Sequence, residues 1–228
     1  MQLRWVLLCC SFGAGLSDVA GQDLFQQGLV AKDITYESIL GEHDRVSNVS
    51  SRRLQGNVLG YVTPWNAKGY DVAEIFRSKL THVSPVWLQL REETGSLAVT
   101  GQHDIDKGWV QRMRKPPLKD APRVVPRLIV EMAPEALVNM LTKASGASIS
   151  LLTQLCKQQG FDGLVLEAWS QWGGMGLVAH EQLGQAARLW LRQLADALHA
   201  QKASHGAPME LLLAVPPVVP AAKGAAMF

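Results

Sequence analysis

From residue 57 onward the chain alternates short, near-continuous apolar runs with longer stretches in which apolar residues recur every three or four positions. Runs of the first kind suit strands buried on both faces, and stretches of the second kind suit helices packed along one face. The runs predict strands over Val58 to Thr63, His82 to Leu90, Val124 to Glu131, Phe161 to Glu167 and Leu211 to Val219. The periodic stretches predict helices over Asp71 to Lys79, Asp106 to Arg114, Pro134 to Ala144, Ser148 to Gln159 and His180 to Gln201. In the last of these, Leu183, Ala187, Trp190, Leu191, Leu194 and Leu198 share one face, a stripe suited to the outside of a parallel sheet. Such a βαβα order is met by an open doubly wound sheet or by a (β/α)₈ barrel. No GxGxxG follows the first strand and no GxxxxGK[ST] occurs, which removes the common nucleotide-binding open sheets.

The predicted strand starts lie about 38 residues apart, so eight units at that spacing need roughly 300 residues. Five strands are present, and the expected fold is an α/β (β/α)₈ barrel represented by about five of its eight units and therefore unclosed. Upstream, Met1 to Arg4 is basic, Trp5 to Leu16 is apolar, and small residues follow at Ser17, Ala20 and Gly21. This is the pattern of a secretory signal peptide over residues 1–17. Residues 18–56 read as an extension with a short helix near Asp33 to Leu40, and residues 57–228 as the barrel domain. Within the extension, Asn48-Val49-Ser50 is an N-glycosylation sequon in a polar stretch, in keeping with secretion.

Composition narrows the functions available. Of 228 residues, 47% are apolar and 18% charged, with a net charge of +2, so disorder is not expected. The basic residues are dispersed, which leaves no footprint for nucleic acid and no polybasic patch for a lipid surface. No run reaches the roughly 20 apolar residues of a membrane-spanning helix. Cys156 has no intrachain partner once Cys9 and Cys10 are set aside with the amino terminus, so no disulfide framework is expected. On a helical face, Cys156 reads as a small core residue. The six histidines are scattered without metal-ligand spacing, and no cofactor or metal is expected. His103-Asp104 reads as turn or cap chemistry ahead of the helix from Asp106, and neither Ser84 nor Ser170 sits in a nucleophile-elbow context.

The chemistry concentrates in Phe161-Asp162-Gly163-Leu164-Val165-Leu166-Glu167-Ala168-Trp169, on the fourth predicted strand. This segment resembles the fourth barrel strand of the family 18 glycoside hydrolases, the chitinases and chitinase-like lectins, where FDGxDxDxE ends in the catalytic acid. Val58 to Asn66, Val83 to Leu90 and Val125 to Leu128 extend the resemblance to the first three strands. Laid on the motif, Asp162 matches its first carboxylate, Val165 and Glu167 replace the next two, and Trp169 stands at the acid. The third strand lacks the SxGG of active chitinases.

The resemblance implies a barrel fold, no catalytic residue, and chitooligosaccharides as ligands. It also implies bacterial surface glycans such as lipopolysaccharide, a role in innate immunity, a stabilin-type scavenger receptor as partner, and a secreted or lysosomal location. Strand alternation would place Val165, Glu167 and Trp169 on one face, toward the carboxyl-terminal mouth of the barrel. Trp169 cannot donate the proton a glycosidic leaving group needs, and Glu167 would lie about 6.6 Å deeper, at roughly 3.3 Å per residue. Tyr61, Trp65, Trp87 and Trp169 at strand ends would form an aromatic platform for sugar rings, with Glu131 and Glu167 as polar partners. For each of these tryptophans a place in the core is the competing reading; Glu167 competes with a role as a satisfied interior carboxylate, and Asp162 reads as structural. A weakly active family 18 hydrolase with displaced catalysis and a truncated product without function are the other readings the motif allows.

Overall fold

The computed structural model describes residues 31–43, 52, 54–115 and 121–217. The signal peptide, Asn48, most of the extension and the expected strand end at Val218 and Val219 lie outside the described residues. A short exposed helix α1 (Tyr36–Glu42), capped by Thr35, stands where the extension was expected to hold one.

The barrel elements begin with β1 (Leu59–Val62) and α2 (Ala67–Ile75), followed by a 3₁₀ turn over Arg77–Lys79. Next come β2 (His82–Pro85), β3 (Leu88–Glu93), β4 (Ser96–Thr100) and α3 (Lys107–Met113). After them run β5 (Arg123–Val124), β6 (Arg127–Glu131), α4 (Pro134–Thr142) and α5 (Ser145–Gln159). The series ends with β7 (Gly163–Glu167), α6 (Trp169–Gly174), α7 (Glu181–His199) and β8 (Glu210–Leu213).

Two of the expected long strands are each split by an irregular joint. β2 runs into β3 across Val86 and Trp87, and β5 runs into β6 across Val125 and Pro126. Backbone bonds bridge the joints, from Val86 N–H to the Val62 carbonyl (2.9 Å) and from Val165 N–H to the Pro126 carbonyl (3.0 Å). The result is one wall of five parallel positions in the order β1, β2–β3, β5–β6, β7, β8, each joined to the next through helical segments. This is an incomplete (β/α) barrel among the described residues. Among the described residues the one antiparallel strand, β4, pairs with β3 through a turn at Thr94, in the left-handed region at φ 49°, and Gly95. The sequence reading has no counterpart for β4 or α6.

Local chemistry accounts for the element ends. Asp106 caps α3 by accepting from the Trp109 N–H at 2.8 Å, and Pro134 occupies the first turn of α4, where no backbone donor is needed. Gly160, at φ 68°, ends α5 in the left-handed conformation. The helix-facing side of the wall carries Val83, Leu88, Leu90, Leu128, Val130, Leu164 and Leu166, all buried in one cluster with the helices. The α7 stripe docks there through Ala187, Trp190, Leu194 and Leu198, and the Trp190 indole donates to Ser148 Oγ on α5 at 2.8 Å. Cys156 is buried in the same cluster, where burial pushes its thiol up to about 12, so it is inert as a nucleophile.

Candidate functional site

The opposite face of the wall carries the alternate residues, and it is concave. His82 on β2 and Glu210 on β8 are three strand positions apart, a gap of about 14 Å in a flat sheet at roughly 4.8 Å per strand. Their side chains nevertheless meet, His82 Nε2 to Glu210 Oε2, at 2.8 Å, with Arg123 pairing to the other Glu210 oxygen. That strut closes the amino-terminal end of the concave face. Burial works against the Glu210 carboxylate, but the His82 hydrogen bond and the Arg123 charge outweigh it and hold its pKa below the ordinary value.

Beside this end, Asp162 sits just before β7, 1% exposed. One carboxylate oxygen accepts from the Val124 N–H and from Arg114, both at 2.8 Å, and the other accepts from Ser204 Oγ at 2.7 Å. Its role is to bind the loop after α7 and the end of α3 to β5, the structural part expected of it.

The carboxyl-terminal half of the concave face is open and polar. In register, Arg127 lies beside Val165, Gln89 beside Ile129 and Ile129 beside Glu167, and Arg91 beside Glu131. Arg127 pairs with Glu167, and Arg91 pairs with Glu131. Both carboxylates thus end adjacent strands on one face, each held by an arginine from its neighbour. Tyr61 on β1 shares this face and is half exposed. Burial raises its phenol above the ordinary value, the Glu167 charge adds to that, and Arg127 acts against it, so the hydroxyl remains a hydrogen-bond donor. Trp65, in the turn that follows β1, is 78% exposed.

The structure therefore brings together Tyr61, Glu131 and Glu167 on one concave face, with Trp65 at its rim. Two expectations are corrected. Trp87 is 0% exposed: its indole N–H donates to Tyr70 Oη at 2.8 Å and its ring packs against Trp109 and Phe161. It belongs to the core because the joint after Pro85 turns it to the helix side, and it has no surface to offer a sugar. Trp169 does not continue the alternation of Val165 and Glu167, because β7 ends at Glu167 and Trp169 opens α6. There it is partly buried against the core. Val165 is 1% exposed, so it forms floor and not surface.

Arg91 and Arg127 were missed by the sequence reading, which followed apolar runs and acids. The available signal was parity: Arg127 and Glu131, four residues apart on one strand, must face the same way. Among the described residues no group of His, Cys, Asp and Glu could hold a metal ion, and no helix is long and apolar enough to cross a membrane.

No protein-family model matches the chain. Solved structures do. A class V chitinase from Pseudomonas fluorescens matches at 22% identity and TM-score 0.50, over 71% of this chain and 45% of that one. A chitinase from Chromobacterium violaceum matches at 15% identity and TM-score 0.50, over 69% and 44%. A mutant GH18 chitinase from Cycas revoluta, solved in complex with (GlcNAc)4, matches at 15% identity and TM-score 0.51, over 69% and 45%. The chain spans a little under half the length of these chitinases, and at such identities the likeness is one of fold: the described residues have the partial-barrel fold of the glycoside hydrolase family 18 chitinases.

Proposed function

We propose that this chain is a chitinase-like saccharide-binding protein without hydrolase activity. The observation that carries the reading is the end of β7. Where the family motif ends in a carboxylic acid, the chain turns into α6 and presents Trp169, while the nearest carboxylate, Glu167, is committed to Arg127. An indole N–H donates a hydrogen bond but does not protonate a leaving oxygen. A general acid must also come within about 3 Å of the leaving oxygen, and Glu167 ends its strand two residues before the motif's acid position. What the face offers instead is an exposed Trp65, a half-exposed Tyr61 with its hydroxyl, and two carboxylates as acceptors. Aromatic faces for pyranose C–H groups, beside polar groups for the hydroxyls, make a saccharide site.

The ligands proposed are chitooligosaccharides, with bacterial surface glycans such as lipopolysaccharide as a further class. The amino-terminal pattern supports a secretory route to the extracellular space or the lysosome. In the residues of its first four strands the chain resembles chitinase domain-containing protein 1, the stabilin-interacting chitinase-like protein. That resemblance supports a stabilin-type scavenger receptor as partner and a part in innate immunity.

General acid catalysis contributes about 10²- to 10⁴-fold, and the purified protein is expected to release no reporter from a chitobioside substrate. Turnover that Glu167→Gln abolishes would establish a displaced-acid hydrolase in its place. For binding, Trp65→Ala is expected to weaken chitooligosaccharide affinity by about 1 to 3 kcal/mol by calorimetry, the scale of losing an aromatic contact. Unchanged affinity with an unchanged circular dichroism spectrum would move the cleft away from the β1 rim.

A further inference from the structure

Along the chain the basic residues are dispersed, but the fold gathers many of them at one end of the wall. Each crossover helix runs back from the carboxyl-terminal end of one strand toward the amino-terminal end of the next, so the last helical turns lie together at the amino-terminal end. Those turns are basic: Arg77 and Lys79 follow α2, Arg112 lies in the last turn of α3, Lys157 in that of α5 and His199 in that of α7. Cations are favoured there because the unpaired carbonyls of a helix terminus carry partial negative charge.

Contacts draw part of this set into one corner. Arg77 Nη1 donates to the Lys115 carbonyl at 2.7 Å. Arg52 Nη1 donates at 3.4 Å to the carbonyl of Leu80, whose own N–H donates to the Arg77 carbonyl at 3.2 Å. Arg52, Arg77, Lys79 and Lys115 therefore surround the start of β2. Acids at this end are largely consumed, Glu74 by Arg112, Asp162 by Arg114 and Glu210 by Arg123 and His82; Asp196, one turn before the end of α7, is a further one. By contrast, the strands end at the opposite mouth in Glu93, Glu131 and Glu167.

Large aliphatic side chains stand open on the same two segments. Leu54, two residues after Arg52, is 61% exposed, and Ile75, two residues before Arg77, is 66% exposed. Sulfated glycans and nucleic-acid backbones give an aliphatic side chain little to bury against, and neither segment carries an exposed aromatic ring for stacking on bases. Basic groups beside open aliphatic ones match a lipid surface, where ammonium and guanidinium groups meet phosphates and aliphatic groups enter the acyl boundary.

We propose that the protein docks on anionic lipid bilayers through the amino-terminal end of its wall. Arg52, Lys79 and Lys115 lie on the headgroups, with Leu54 and Ile75 in the boundary beneath them. Docked this way, the concave mouth faces away from the bilayer, toward solution. The proposal is independent of the saccharide reading.

The experiment is co-sedimentation of the full chain with vesicles of phosphatidylcholine alone and with vesicles of equal parts phosphatidylcholine and phosphatidylserine. Binding is expected to the second only, and to weaken as salt is raised. Lys79→Ser combined with Lys115→Ser is expected to weaken it by about 25-fold, at about fivefold per basic residue near the surface. Lys68→Ser combined with Lys107→Ser removes the same charge from the first turns of α2 and α3, at the opposite end, and is expected to change binding by less than about twofold. Ile75→Ser is expected to cost about fivefold and to leave the salt dependence as it is, since what it removes is apolar burial. Thermal midpoints are expected to match the wild type in all three. Failure to bind phosphatidylserine vesicles, or equal losses in the two lysine pairs, would overturn the proposal. So would full vesicle binding by Ile75→Ser together with retention of the wild type on heparin or duplex DNA at higher salt than on vesicles, which would make the corner a general polyanion site.

Discussion

Replacing Asp162 by Ala is expected to lower the free energy of unfolding by about 3 to 5 kcal/mol, as breaking a buried ion pair does. The substitution would strand the Val124 N–H, the Ser204 hydroxyl and the Arg114 guanidinium, all of which now point at one buried carboxylate. Against a total stability of about 5 to 15 kcal/mol, that is a large share. Denaturant unfolding would measure it, and a loss below about 1 kcal/mol would mean that water serves those donors equally well.

The same bonds make the domain sensitive to acid. Burial by itself would raise the Asp162 pKa, but Arg114, Ser204 and the Val124 N–H outweigh burial and hold it below the ordinary value. Glu210 is lowered in the same way by His82 and Arg123. The unfolded chain therefore takes up protons at a higher pH than the folded one does. The stabilisation is fully present above the unfolded carboxylate values near about 4 and is lost as the pH falls through the lower folded values. The thermal midpoint is expected to drop below about pH 4, and to drop less steeply in Asp162→Asn. Identical acid slopes for the two proteins would remove Asp162 from this account.

Gly163→Ala is expected to cost at least about 3 kcal/mol, and to leave the protein largely insoluble. Gly163 opens β7 at φ 146°, a conformation that residues with a side chain rarely adopt, and a Cβ there would sit 2.0 Å from the Glu210 carbonyl oxygen and 2.6 Å from its nitrogen. Those are backbone atoms of the paired strand β8, so no rotamer relieves the clash. Only separating β7 from β8 does, which also pulls Glu210 away from His82. Gly206→Ala serves as the comparison. Its φ is 86° but its surroundings are open, so backbone strain alone applies and about 1 kcal/mol is expected. Equal costs at the two positions, read from thermal midpoints, would show that β8 shifts freely.

The alternation of strand and helix, and with it the barrel class, could be read from the chain because both signals are local. A strand buried on two faces must be apolar throughout, as Leu164 to Leu166 are, and a helix on the outside of a sheet must show an apolar stripe, as Ala187, Trp190, Leu194 and Leu198 do. The structural part of Asp162 was likewise readable beside Gly163 at the start of a strand. The direction in which a strand-end side chain points was not. Trp65 and Trp87 look alike in sequence, each following a proline by one or two residues near the end of an apolar run, yet one is 78% exposed and the other 0%. The joint after Pro85 shifts the phase of alternation, and no local pattern marks such a joint. Trp169 misled for the same reason, since extrapolating period two past Glu167 assumes that the strand continues. The arginines of the candidate site escaped notice because their meaning lies in register. Arg127 and Glu167 are 40 residues apart in the chain and become partners only when β6 and β7 pair at one particular offset. Apolar pattern sets which residues are buried, whereas register and curvature, fixed by contacts across the whole wall, set which polar groups meet.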